Sequence, residues 1–144
     1  GAPNWDSDAR AMLVGMTRAT NKNHLVRAGL TSIAFCTKQL LEEMKKGGYE
    51  IKEIRCDGGV SKNQFLMQFQ SDLLETDLRL PKNSESTVMG VVYMCGLAFG
   101  VFKSLKQISS FWEEKAKFVP QKNLKAKKEY KKWKKAVKLC MLWR

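Results

Sequence analysis

From His24 to Lys46, core-type positions recur at Val26, Leu30, Ile33, Thr37, Leu40, Leu41 and Met44. That is the period of a helix packed along one face. The polar run TRATNKN (17–23) supplies caps before it, Lys45 and Lys46 suit the negative end of its dipole, and Gly47-Gly48 end it. Ahead of it, GAPNWDSDAR (1–10) reads as loop and AMLVGMT (11–17) as a short apolar strand. Ile51 to Asp57 reads as a strand and Gly58-Gly59 as a turn. Ser61 with Gln64 reads as a capping box opening a helix over 62–74 that buries Phe65, Leu66, Phe69 and Leu73. Thr76 to Leu80 is a second strand, closed by Pro81. Ser84 to Phe102 is a glycine-bearing apolar helix with Glu85 stabilising its first turn.

Strand, helix, strand, helix in that order predicts an α/β layer with parallel strands, the strand at 51–57 central. Helices 24–46, 62–74 and 85–102 pack around it. Val88 to Phe102 carries no charge, yet it is shorter than the roughly 20 apolar residues of a membrane span. It is expected to be a buried core helix, and no membrane partner is expected.

Charge divides the chain of 144 residues into two parts. Residues 1–120 hold 16 Lys/Arg against 13 Asp/Glu, while 121–144 hold 10 against 1. The first part is a nearly neutral globular domain and the second a basic amphipathic helix, with Leu124, Tyr130, Trp133, Val137 and Cys140 or Met141 on one stripe. Such a helix either docks on the domain with its lysines solvated, or binds nucleic acid, an acidic membrane or calmodulin. The docked helix is the expectation, without nucleic acid. Cys36, Cys56, Cys95 and Cys140 lie far apart with no CxxC pair, which suits a reducing, cytoplasmic setting. The first residue is Gly1 rather than Met, as in a fragment or processed piece.

The adjacent glycines carry the candidate chemistry. Glycine lets a backbone turn through positive φ and present its amides unobstructed. In an open α/β sheet, ligands bind beyond the carboxyl ends of the strands, and a helix N-terminus there favours phosphate. A strand–Gly58-Gly59–helix turn is therefore either a nucleotide site or simply a tight turn, and neither a P-loop nor GxGxxG decides between them.

The surrounding residues favour the nucleotide. IRCDGGVSKNQFLMQFQSDLL resembles the adenosine-binding turn in the C-terminal domain of the FGGY carbohydrate kinases, most closely of their glycerol-phosphorylating members. GAPNWD is similar to the family's GAPYWD segment. ARAMLVGMTRATNKNHLVRAGLTSIAF resembles a family signature at Ala11, Leu13, Gly15, Met16, His24, Leu25, Ala28 and Leu30. ESTVMGVVYMCGLAFG looks like the family's small-residue helix, and YKKWKKAV like its C-terminal helix. Gly29, Thr31, Asn4 and Val91-Val92 depart from the family pattern.

The resemblance implies part of an actin-like, ribonuclease-H-like ATPase domain, lacking its first strands, from an enzyme that uses ATP and Mg2+ to phosphorylate glycerol, another polyol or a sugar. Apolar surface left uncovered would then make the chain associate with itself, as a homo-oligomer. The resemblance places the nucleotide on Gly58, Gly59 and Asn63. Asp57, by its position just before the glycines, is expected either to orient a ribose or metal-bound water or to satisfy backbone amides at the turn. The catalytic Asp, the phosphate loops, the metal site and most polyol contacts of the family would precede Gly1. No residue here is assigned as the base, so the chain is expected to be inactive alone. A catalytically dead regulatory relative and a basic interaction module are the alternatives. His24 is expected to cap or pack, and Trp5 either to pack or to lie near an interdomain cleft.

Overall fold

A computed structural model describes residues 3–143. Its elements are α1 (Lys22–Lys46), β1 (Glu53–Arg55), α2 (Gln64–Leu74), β2 (Asp77–Pro81), α3 (Ser86–Ala98), α4 (Leu105–Ser110), β3 (Glu114–Phe118) and α5 (Leu124–Leu142). β1 and β2 run parallel, Ile54 beside Leu78. β3 pairs antiparallel with β2, Leu78 opposite Phe118, with an irregularity at Leu80/Pro81. The centre of the sheet is therefore β2, not the 51–57 strand, which is shorter than expected and lies at an edge. β3 was not foreseen, although Glu114, Ala116 and Phe118 alternate with Lys115 and Lys117. Pro81 ends β2, where a missing backbone donor costs least. Arg79 lies between Glu53 and Glu114 of the flanking strands, at 3.1 and 3.4 Å. The nearer contact is an ion pair without hydrogen-bond geometry.

The core forms around α2. Leu66 and Leu73 are fully buried from α2 and Leu78 from β2. Phe69 meets Phe35 of α1 edge-on, and Phe35 in turn packs on Tyr130 and Trp133 of α5. The amphipathic C-terminal segment is thus a docked helix. Tyr130 is buried and its hydroxyl donates to Glu42 at 2.9 Å; burial, reinforced by that carboxylate, pushes the phenol well above its ordinary pKa.

One buried carboxylate organises this junction. Asp72 accepts from Gln68 Nε2 (2.7 Å), the Gln121 amide (2.9 Å) and Asn123 Nδ2 (3.2 Å). Asn123 then caps α5 through its carbonyl oxygen, which accepts from the Ala126 amide. The neighbouring Ser71 hydroxyl bridges the carbonyls of Thr76 and Phe118. Lys38 reaches from α1 to the Leu73 carbonyl at the end of α2, and partial burial lowers its pKa.

Helix starts agree with the sequence in one case and differ in another. Asn21 and His24 form a reciprocal capping box at α1, His24 Nδ1 accepting from the Asn21 amide. The expected box at Ser61 is absent. Ser61 belongs to a 3-10 turn, Gly59–Lys62, with its hydroxyl on the Gly58 carbonyl, and the N-cap of α2 is Asn63. The shift follows from chain direction: the 3-10 turn consumes four residues before the α-helix begins.

The buried face of α1 is also rotated from the expected one. Thr31, Ala34 and Phe35 are buried, whereas Val26, Ile33, Leu40 and Met44 are exposed. Phe65 remains 43% exposed, beneath the guanidinium of Arg27. Residues 11–17 form no strand; they pair with no strand among the described residues and stay exposed. The apolar α3 is not a core helix either. Only its Gly96 is buried, against the Phe102 ring, which occupies the place a Cβ would need. Val88, Val91, Val92 and Met94 are exposed, although a helix apolar on every side is ordinarily buried.

The start of α3 is tied to β1 across the sheet edge. Glu85 occupies the N-cap but contributes no side-chain cap. Asp57 replaces it: one carboxylate oxygen accepts from the Gly58 amide (2.5 Å) and the other from the Ser86 amide (3.1 Å). Hydrogen bonding by the Ser86 side chain, helped by the Gly58 and Ser86 amides, holds the Asp57 carboxyl below its ordinary pKa.

Two predictions follow from these carboxylates. Asp72→Ala should lower the free energy of unfolding by about 2–3 kcal/mol, because buried donors lose a charged acceptor; urea denaturation followed by tryptophan fluorescence measures it. For Asp57 the folded pKa is depressed, so its stabilisation is present above the unfolded value near pH 4 and fades as pH falls through the folded value. Asp57→Asn should therefore lower the denaturation midpoint at neutral pH. The gap from wild type should narrow in strong acid.

Candidate functional site

Hydrogen bonds within the chain close the turn after β1. Gly58 has φ 91° and ψ 175°, a conformation that side-chain-bearing residues rarely adopt. Its carbonyl then accepts both the amide (3.1 Å) and the hydroxyl (2.7 Å) of Ser61. The Asn63 amide returns to Val60 at 3.1 Å, closing the 3-10 turn. The positive φ thus belongs to Gly58. Gly59 has an ordinary φ, and a Cβ built on it meets nothing within 4 Å. Nothing inside the fold requires residue 59 to lack a side chain.

Asn63 is half-buried at the start of α2. Its carbonyl oxygen accepts from the Leu66 amide at 3.0 Å, while its Nδ2 group donates to no described residue. One end of the amide is used by the helix and the other is left for a neighbour. Asp57, Gly58, Gly59 and Asn63 are therefore brought together on a single turn. Asp57 performs the structural role, since both its oxygens hold backbone amides.

Burial pushes the Cys56 thiol of this turn up, so it is held as the thiol rather than a nucleophilic thiolate. His24 serves its helix cap. Trp5 is 78% exposed and joins no buried core among the described residues. Among the described residues no cluster of three or more His, Cys, Asp or Glu side chains could hold a metal ion.

Sequence reasoning missed a second feature. A cleft of about 740 Å³ opens beside the turn, lined by Arg55, Lys82, Met89, Tyr93, Phe111 and Trp112 among others. Arg55 stacks on Trp112 at 4.3 Å, and Lys82 pairs with Glu113 at 2.7 Å. Its far wall comes from α4 and residues 111–113 before β3, which no strong motif announces. The cleft and the glycine turn meet at Ser86, but Gly58, Gly59 and Asn63 do not line it.

Comparison with known proteins places these elements. Glycerol kinases of Clostridium perfringens and Geobacillus sp. are 45% and 46% identical over 99% and 100% of the chain, which spans 29% of each relative. The crystal structure of Plasmodium falciparum glycerol kinase with ADP superposes on 96% of the chain with a TM-score of 0.80 and 37% identity, the match covering 28% of that protein. A ligand-bound xylulose kinase from Lactobacillus acidophilus matches 91% of the chain at a TM-score of 0.75 and 26% identity, over 26% of its own length. The mixed helix and sheet arrangement is that of sugar kinases with the actin-like ATPase fold. Residues 1–99 match the model of the C-terminal domain of the FGGY carbohydrate kinases, and the chain belongs to that family.

Proposed function

We propose that the chain is the ATP-binding C-terminal part of a cytoplasmic kinase that phosphorylates glycerol to sn-glycerol 3-phosphate. The turn 57–63 takes the adenosine. Gly59 offers open backbone for a base or ribose to lie against, and Asn63 Nδ2 donates to it. The observation that carries this reading is the divided use of Asn63, its oxygen on Leu66 and its nitrogen without a protein partner. The ADP named in the Plasmodium falciparum relative supports the ligand class, and the identity to glycerol kinases supports the substrate.

Within this reading the chain binds nucleotide but does not transfer phosphate alone. Phosphoryl transfer requires a group that accepts the proton of the attacking hydroxyl and a metal on the phosphates. Asp57 is committed to two amides, and no other residue of the turn is a base. The base, the Mg2+ ligands and the polyol contacts are assigned to the remainder of the enzyme. The exposed apolar positions of α1 and α3 support self-association of the isolated chain.

Because Asn63 caps α2, removing its side chain would destabilise the domain as well as weaken binding. Asn63→Ser separates the two, since serine caps about as well but has no amide. In the full-length enzyme this variant should keep its melting temperature and raise the nucleotide KM about 5- to 100-fold, the loss of one buried-site hydrogen bond. The glycerol KM should change little. Gly59→Ala should behave likewise, without strain at the turn. Nucleotide affinity unchanged in both variants would leave Gly58-Gly59 as a structural turn only.

A further inference from the structure

Docking on the domain accounts for one face of α5 and leaves the other unexplained. Tyr130, Trp133 and Val137 turn inward, and Lys127 and Lys134 pair with Glu75 and Glu42. On the outward face, Lys125, Lys128, Lys131, Lys132, Lys135 and Lys138 are exposed and have no carboxylate partner among the described residues. A helix that needed only solubility would end this face in polar groups. Instead the same face closes on Leu139 and Leu142, 57% and 80% exposed, followed by Trp143 at 72%. Trp143 and Cys140 face the chain at Arg10–Leu13, held by the bond from the Cys140 thiol to the Arg10 carbonyl. Met12 and Leu13, themselves exposed, extend the apolar end.

We propose that the outward face of α5, with the apolar end formed by Leu139, Leu142 and Trp143, is a reversible docking surface for membranes rich in anionic lipid. Charge complementarity identifies the occupant: unpaired lysines attract a negative surface within a Debye length. Leucine and tryptophan at one end suit shallow insertion at the headgroup boundary, where an indole is stable with its N–H wet. Long lysine stems lie along apolar surface while their ammonium groups reach the phosphates. Nucleic acid would use the lysines but has no use for two exposed leucines. None of the described helices is long and apolar enough to cross a membrane, so contact is confined to the surface.

The test is co-sedimentation of the full-length protein with vesicles of phosphatidylcholine alone or mixed with phosphatidylserine. Binding is expected only to the mixed vesicles, and should fall as salt rises. Each lysine among 128, 131, 132 and 135 changed to Gln should weaken binding about fivefold, the equivalent of about 1 kcal/mol per charge. Leu142→Ser and Trp143→Ala should weaken it without changing its salt dependence. All these side chains are exposed, so circular dichroism should show the fold intact. No binding at low salt, or equal binding to both vesicles, overturns the proposal. So does duplex DNA bound as tightly as the mixed vesicles and unaffected by Leu142→Ser.

Discussion

The arrangement of the chain depends on a carboxylate placed where a charge is expensive. Asp72 lies in α2 among apolar neighbours, and a buried ionised group without partners would destabilise the domain by several kcal/mol. Three donors satisfy it, and two come from the linker after β3. The requirement fixes where that linker runs, and hence where α5 begins. Tyr130 and Trp133 then reach Phe35 only because α5 starts at this point. An apolar residue at 72 would leave the linker held at its start only, by the Gln68 bond to the Val119 carbonyl and the Ser71 bond to the Phe118 carbonyl.

Much of this was legible from the sequence, and the failures have specific causes. Helices α1, α2 and α5 follow from periodicity because each repeats over several turns. His24 was expected to cap or pack, and its cap is a local matter of residues three apart. The face of α1 was misjudged because both its faces are apolar, and only tertiary contacts choose Phe35 over Ile33. α3 presents the same ambiguity in a stronger form. β3 was overlooked because a five-residue strand carrying lysines and a glutamate has weak strand character until β2 is beside it. Its partner lies more than thirty positions earlier, beyond any local window.

At the site, the residues of the turn were identified but some of their duties were exchanged. Ser61 was expected to cap α2 and instead braces the glycine turn, while Asn63, expected to be free for a ligand, caps the helix. The positive φ lies at Gly58 and not Gly59. Both differences come from the 3-10 turn, which composition does not distinguish from the first turn of an α-helix. Asp57 links the end of β1 to the start of α3, two elements far apart in sequence.

The cap at Asn63 has a consequence for recognition. A free asparagine side chain samples several rotamers, and a ligand that hydrogen-bonds to it must suppress all but one. Here the bond from the Leu66 amide has already selected the rotamer during folding. The direction of the Nδ2 donor is therefore set before any molecule arrives, and the entropy of ordering it is absent from the association equilibrium. Recognition at this turn would then be rigid: a partner whose acceptor is slightly displaced cannot draw the amide toward it without uncapping α2.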